Sequence, residues 1–164
     1  MAEILESSGA GERRRSREFA LQLLFQLDIS PDPVEAAIEE FWKGKRIRKP
    51  VVEFATDLVR GATEWREWID GVLGTSSHHW RVSRMAVVDR NILRLALYEM
   101  IVSRRTPPIV VINEAIEIAK KFGNDDSGPF INGILDAVRV RLESGEIAAP
   151  AEGSRVPPKL RAPA

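Results

Sequence analysis

The chain has no cysteine and only two histidines among its 164 residues, the adjacent His78 and His79. Without thiols there are no disulfides, thiolate metal sites or thiol nucleophiles, a composition that fits a reducing cytosol. Sequence neighbours do not face each other on a helix and no third histidine exists, so a zinc set cannot be completed. Long apolar runs are missing too: Ile109-Val110-Val111-Ile112 falls far short of the ~20 residues needed to span a bilayer. Residues 1–11 have neither the basic start nor the apolar core of a signal peptide. The expectation is a cytoplasmic protein, neither inserted nor exported. No segment alternates with period two, which excludes a sheet protein, and no repeat recurs at solenoid spacing. There is no Gly-rich phosphate loop, nucleophile elbow or zinc-helix pair, and no Ser or Asp has a histidine nearby to complete a triad. The reading is of a non-enzyme with no cofactor and no metal.

Net charge is absent as well, 24 basic residues against 24 acidic, but the charge is unevenly spread. Arg13-Arg14-Arg15-Ser16-Arg17 runs directly into the apolar stretch Phe19-Ala20-Leu21-Gln22-Leu23-Leu24-Phe25-Gln26-Leu27. If a helix begins there, four guanidinium groups sit at the positive end of its macrodipole, where each cation costs roughly 0.3–1 kcal/mol. A patch that breaks a local rule on a neutral molecule asks for a polyanion, nucleic acid first. A second basic stretch, 43–49, has five Lys or Arg among seven residues, including Lys43, Lys45 and Arg46. It joins the first into one track only if the loop folds back beside the first helix.

Apolar spacing predicts helices almost throughout. The first spans about 14–27, with Phe19, Ala20, Leu23, Leu24 and Leu27 inward and Arg14, Glu18, Leu21 and Phe25 on the opposite face. Asp32 as N-cap, Pro33 at the first helical position and Glu35 closing a capping box start the second, which buries Val34, Ala37, Ile38, Phe41 and Trp42. Pro50 resets the chain into one long helix through Val51, Phe54, Ala55, Leu58, Val59, Ala62, Trp65 and Ile69. The small polar run from Gly74 to His79 marks a subdomain boundary. The segment 87–101 is apolar on nearly all sides, as a central helix would be. A helix over 111–122 follows Pro107-Pro108 and stops at Gly123, and a last helix starts near Gly128 or Pro129, burying Phe130, Ile131, Ile134, Leu135, Val138 and Leu142. The expected organisation is an all-α protein of two small helical bundles: a disordered lead over 1–11, subdomains over 12–73 and 74–142, and a disordered tail over 143–164.

Each site has a plainer reading. The arginine block could be a solvated lead-in, and 43–49 a solvated connector. Phe25 either packs under a neighbouring helix or offers a stacking face to an unpaired base. Asn124, Asp126 and Gly128 echo a calcium loop but lack its bidentate glutamate, so a turn with a helix cap explains them better. Asn113, Glu114 and Asn132 are expected to satisfy internal hydrogen bonds.

Four blocks, in order, resemble the NusB family of bacterial transcription antitermination factors. They are Arg13-Arg14-Arg15-Ser16-Arg17-Glu18 with Ala20-Leu21-Gln22; Asp89-Arg90-Asn91-Ile92-Leu93-Arg94-Leu95-Ala96-Leu97-Tyr98-Glu99; Ile112-Asn113-Glu114-Ala115-Ile116-Glu117-Ile118-Ala119-Lys120; and Phe130-Ile131-Asn132-Gly133-Ile134-Leu135-Asp136. The resemblance implies two helical bundles and a non-enzymatic, RNA-binding factor. It implies pairing with NusE, the small-subunit ribosomal protein, on single-stranded boxA-type RNA of ribosomal transcripts. Other antitermination factors and RNA polymerase are engaged indirectly. By position, Arg13, Arg14, Arg15, Arg17 and Phe25 fall on the RNA side, Phe25 where the family often has tyrosine. Asp126 falls beside the RNA and partner surface, and Asp89 on a partner-facing helix. Some members self-associate, which leaves a homodimer open. If four arginines each neutralise a phosphate, log affinity should fall against log salt with a slope of about −2.8. Two alternatives stand beside this reading: an RNA-docking module related to ribosomal RNA cytosine methyltransferases, for whose catalytic half this chain is too short, and a helical protein-protein adaptor.

Overall fold

The computed structural model describes residues 8–77, 80–155 and 157. Among them it shows seven α-helices, a short 3-10 turn and a π turn, and no strand. No helix among the described residues is long and apolar enough to cross a membrane. His78 and His79 lie outside the described residues. The chain divides into two units between Thr63 and Glu64.

The first unit holds α1 (Ser8–Ile29), α2 (Val34–Trp42) and α3 (Lys49–Glu64). Helix α1 buries Ala20, Leu23 and Leu24 as its spacing requires, but also Leu21, which was expected on the outer face. A buried stripe that wide means α1 is covered on more than one side. Helix α2 starts differently from the expected capping box. Pro33 takes the N-cap position with no side-chain cap, and Val34 is the first helical residue. Asp32 accepts from the Ser30 hydroxyl at 3.3 Å, and Glu35 receives Arg60 Nε and Nη2 at 2.7 and 2.8 Å, tying α2 to α3. Those hydrogen bonds hold the Glu35 carboxyl below its ordinary value and raise Arg60. Pro50 sits in the first turn of α3, where its missing N–H would have no helical partner anyway.

The long helix expected from Val51 through Ile69 is two helices. Trp65 adopts φ −96° and ψ 8°, between α3 and α4 (Arg66–Ser76), and its ring packs edge to face on Trp68 at 5.8 Å. Helix α4 packs on the later helices and therefore belongs to the second unit, so the division precedes the break expected at Gly74. Gly74 lies inside α4. The Thr75 hydroxyl donates back to Val72 O at 3.0 Å and Ser77 to Leu73 O at 2.7 Å, which accounts for the polar residues of this helix end.

The second unit is built around α5 (Val87–Leu97), which continues through the π turn Tyr98–Ser103 and packs against α4, α6 (Pro108–Phe122) and α7 (Ser127–Glu143). Ile92, Leu93, Leu95, Ala96 and Leu97 are all buried, as the all-round apolar pattern requires. Each fully buried leucine contributes roughly 1.5–3 kcal/mol. Arg94, also buried, donates Nε and Nη2 to the two carboxylate oxygens of Asp70 at 2.8 and 2.9 Å, joining α5 to α4 in the bidentate geometry that suits a guanidinium away from water. Arg104, at φ 53°, ends the π turn with its N–H on Glu99 O at 2.9 Å.

Helices α6 and α7 meet at a tight turn. Asn124 N–H donates to Ser127 Oγ at 3.0 Å, and Asp126 N–H to Asn124 Oδ1 at 2.9 Å. Gly123 is required there by space: a Cβ would stand 2.4 Å from Ser127 Oγ and 2.8 Å from Ala119 O. Asn113 and Asn132, expected to bond inside, are exposed. The start of the presumed loose tail is also tied down. Ile147 is buried and donates its N–H to Arg141 O at 3.1 Å, and Arg104 Nη2 donates to Pro150 O at 2.7 Å. Proline and alanine richness hid one buried apolar side chain and one useful carbonyl.

Candidate nucleic-acid interface

The arginine block lies on α1, past its first turn. Because the helix begins at Ser8, Arg13 is well inside it, and the macrodipole conflict expected at a helix start is absent. The cluster needs no local strain to explain it; its neighbours do that.

Arg13, Arg14 and Arg15 are exposed. Arg13 places Cζ 5.0 Å from the centre of the Phe54 ring on α3, and Arg15 5.4 Å from Phe19. Phe19 stands edge to face with Phe41 at 6.0 Å and Trp42 at 5.3 Å, and the Trp42 indole N–H donates to Thr56 Oγ1 at 3.2 Å. Arg17 departs from the expected role. It is only 5% exposed, with Cζ 5.5 Å from the centre of the same Phe54 ring. Its long stem is buried with the helix face it belongs to, so it does not stand out to meet a phosphate.

The loop 43–49 folds back beside α1. Arg48 pairs with Glu12, and Lys45 bonds Phe41 O with Nζ 4.1 Å from the Phe41 ring. Arg15 and Lys45 thus rest on one aromatic cluster, joined through Phe19 and Phe41, which brings the two basic stretches side by side with Glu12, Glu40 and Glu53 paired among them. Arg46 is exposed in the same loop. Lys43 is exposed and pairs with Glu40 at 3.0 Å, a surface pair of small energetic weight. Phe25 is 42% exposed, so the reading in which it packs under a neighbouring helix is set aside. A ring presented to water can stack on a base.

The acidic candidates lie in the second unit. Asp126 is exposed at the start of α7, its backbone held by Asn124 as the turn reading required. Asp89 is corrected: it is 7% exposed, in the first turn of the central helix α5, with Oδ1 making no hydrogen bond. The positive end of the α5 dipole favours its charge there, and a side chain so placed does not present itself to a partner. Among the described residues no group of three His, Cys, Asp or Glu side chains could hold a metal ion.

Sequence reasoning missed Glu12 and Phe54, and it named Arg48 only as part of the basic stretch 43–49, not as the partner of Glu12. Phe54 reads only as one more apolar residue at helical spacing, and the Arg48–Glu12 pair joins the loop before α3 to α1 across 36 positions, beyond any local signal.

Comparison with known proteins identifies relatives. The model of the NusB family matches residues 14–139. A transcription antitermination protein NusB from Desulforapulum autotrophicum is 45% identical over 141 residues, 83% of this chain and 98% of the relative. Another, from Anaeromyxobacter dehalogenans, is 45% identical over 128 residues, 77% of this chain and 89% of the relative. Among solved structures, T. maritima NusB is 37% identical with a TM-score of 0.73, covering 82% of this chain and 97% of its own. A structure of antitermination factors NusB and NusE in complex with double-stranded RNA is 28% identical, with a TM-score of 0.71 and coverage of 77% and 95%.

Proposed function

Because the chain belongs to the NusB family, we propose that it is an RNA-binding transcription antitermination factor, without catalysis of its own, that grips boxA-type RNA of ribosomal transcripts together with NusE. The observation that carries this reading is the basic cluster of the first unit, where exposed Arg13, Arg14 and Arg15 line α1 and Arg15 meets Lys45 of the 43–49 loop on one aromatic cluster, with Arg46 exposed in that loop and Phe25 exposed further along α1. The solved NusB and NusE complex with RNA supports the partner classes. Asp126, exposed in the second unit, is proposed as part of the RNA or NusE surface. Asp89 is not.

The mechanism is electrostatic positioning followed by base reading. Guanidinium groups fix the strand through its phosphates and carry no sequence information themselves; unpaired base edges, a base stacked on Phe25, and NusE supply the preference. Antitermination then follows through other factors and RNA polymerase, which this chain engages indirectly. With Arg17 buried, three arginines remain for phosphates, and the expected salt slope for an unpaired strand softens to about −2.1.

Fluorescence anisotropy on a boxA-type single strand, a scrambled strand and a duplex, each with and without NusE, tests the reading. The boxA strand should bind most tightly, and more so with NusE. Alanine at Arg13, Arg14 and Arg15 together should flatten the salt slope. Identical slopes for the two proteins would remove the arginines from the site, and equal affinity for all three RNAs would remove boxA selectivity.

A further inference from the structure

We propose that Phe54 is a positioning residue of the RNA grip, its ring acting as a seat that aims the guanidinium of Arg13, an inference that rests on the RNA-binding reading above. Phe54 is half-buried on α3, and two guanidinium carbons from α1 lie close to its ring, Arg13 at 5.0 Å and Arg17 at 5.5 Å. Arg13 is exposed and Arg17 is buried. One ring therefore bridges an inner and an outer arginine.

The seat is itself fixed. Between the two arginines stands Ser16, 1% exposed, whose hydroxyl donates to Val51 O at 2.9 Å, one helical turn before Phe54 on α3. Ser16 Oγ also stands 3.0 Å from Glu12 O, and Glu12 is paired with Arg48 at the foot of α3. These ties set the register of α1 against α3, which keeps the Arg13 backbone within reach of the ring.

A free arginine samples many rotamers and loses that freedom when it meets a phosphate. A guanidinium held within cation–π range of a ring keeps N–H donors available for a phosphate while part of that rotamer freedom is already removed. Affinity then rises by pre-organisation, with no added contact to the RNA. Charge alone does not supply this effect: a lysine at the same position keeps the attraction and loses the planar face.

The test is a double-mutant cycle on the full chain with Arg13→Lys, Phe54→Leu and the pair, reading affinity for a boxA-type single strand across a salt series and helix content by circular dichroism. Each single change should weaken binding about two- to fivefold, and the pair no more than either alone, with the salt slope unaltered because no charge is lost. Phe54→Trp should restore affinity, which a general packing role for this position would not predict. Unchanged affinity in the single variants, or effects that add in the pair, overturns the positioning role while the RNA reading stands. If Phe54→Leu does not fold, Arg13→Lys decides by itself: wild-type affinity there overturns the proposal, and weakened binding at unchanged slope supports it. Absence of RNA binding by the unmodified chain would sink the RNA reading and this inference with it.

Discussion

Ser16 donates its hydroxyl proton to the carbonyl of Val51 at 2.9 Å, across 35 positions of sequence and from a side chain that is 1% exposed. A hydroxyl in a basic and apolar run is thus one link between α1 and α3. Ser16→Ala should lower stability by about 1 kcal/mol, the usual net value of one intramolecular hydrogen bond. Urea unfolding of the two proteins checks this, and coincident midpoints would show that the bond adds nothing.

Two glycines should respond in opposite senses to alanine. At Gly123 a Cβ would meet Ser127 Cβ at 2.6 Å as well as the Ala119 carbonyl, neither of which is the free end of a flexible chain. Gly123→Ala should cost about 1–3 kcal/mol. Gly74, inside α4, has nothing within 4 Å of an added Cβ. Gly74→Ala should stabilise by roughly 0.5–1 kcal/mol through the unfolded chain. Thermal unfolding of both variants reads the difference, and a fall in midpoint for Gly74→Ala would contradict it.

The same contrast shows what was legible in the sequence. The small polar neighbours of Gly74 read as a break, yet the backbone there is helical and those hydroxyls bond back to their own helix. Trp65 gives no break signal for the opposite reason: apolar spacing runs unbroken from Leu58 through Ile69, although the backbone turns between two helices. Periodicity reports which face is buried, and it is blind to a bend that keeps the face. It gave the α5 core and the starts and stops around Gly123 well. In the site, the arginine block was plain from composition. That Arg17 turns inward and that Phe54 receives Arg13 are tertiary facts, set by where α3 lies, and no local pattern encodes them.

The Glu35 pair with Arg60 predicts a titration. Hydrogen bonds from the guanidinium hold this carboxyl below its ordinary value of 4.5. A depressed folded value means the pair's contribution to stability is present above the unfolded value and is lost as pH falls through the folded one. Carboxyl chemical shifts of Glu35 should therefore turn over below 4.5 in the native protein, and return towards it in Arg60→Ala. A midpoint at or above 4.5 in the native chain would remove the pair from solution.

Arg14 and Arg17 should separate binding from folding, although both belong to one basic motif. Arg14 is exposed on α1 and Arg17 is 5% exposed beside Phe54. Truncating Arg14 removes a charge that a phosphate can reach, so Arg14→Ala should make the RNA salt slope shallower by about 0.7 while the unfolding midpoint stays put. Truncating Arg17 removes a buried stem and its ring contact, so Arg17→Ala should cost about 1–3 kcal/mol of stability. The folded fraction should keep the wild-type slope, because the charge lost was not one that exchanged counterions for phosphate. Measuring slope and midpoint on both variants gives four numbers. A shallower slope for Arg17→Ala at full folded fraction would place Arg17 back among the phosphate contacts and overturn the division drawn from its burial.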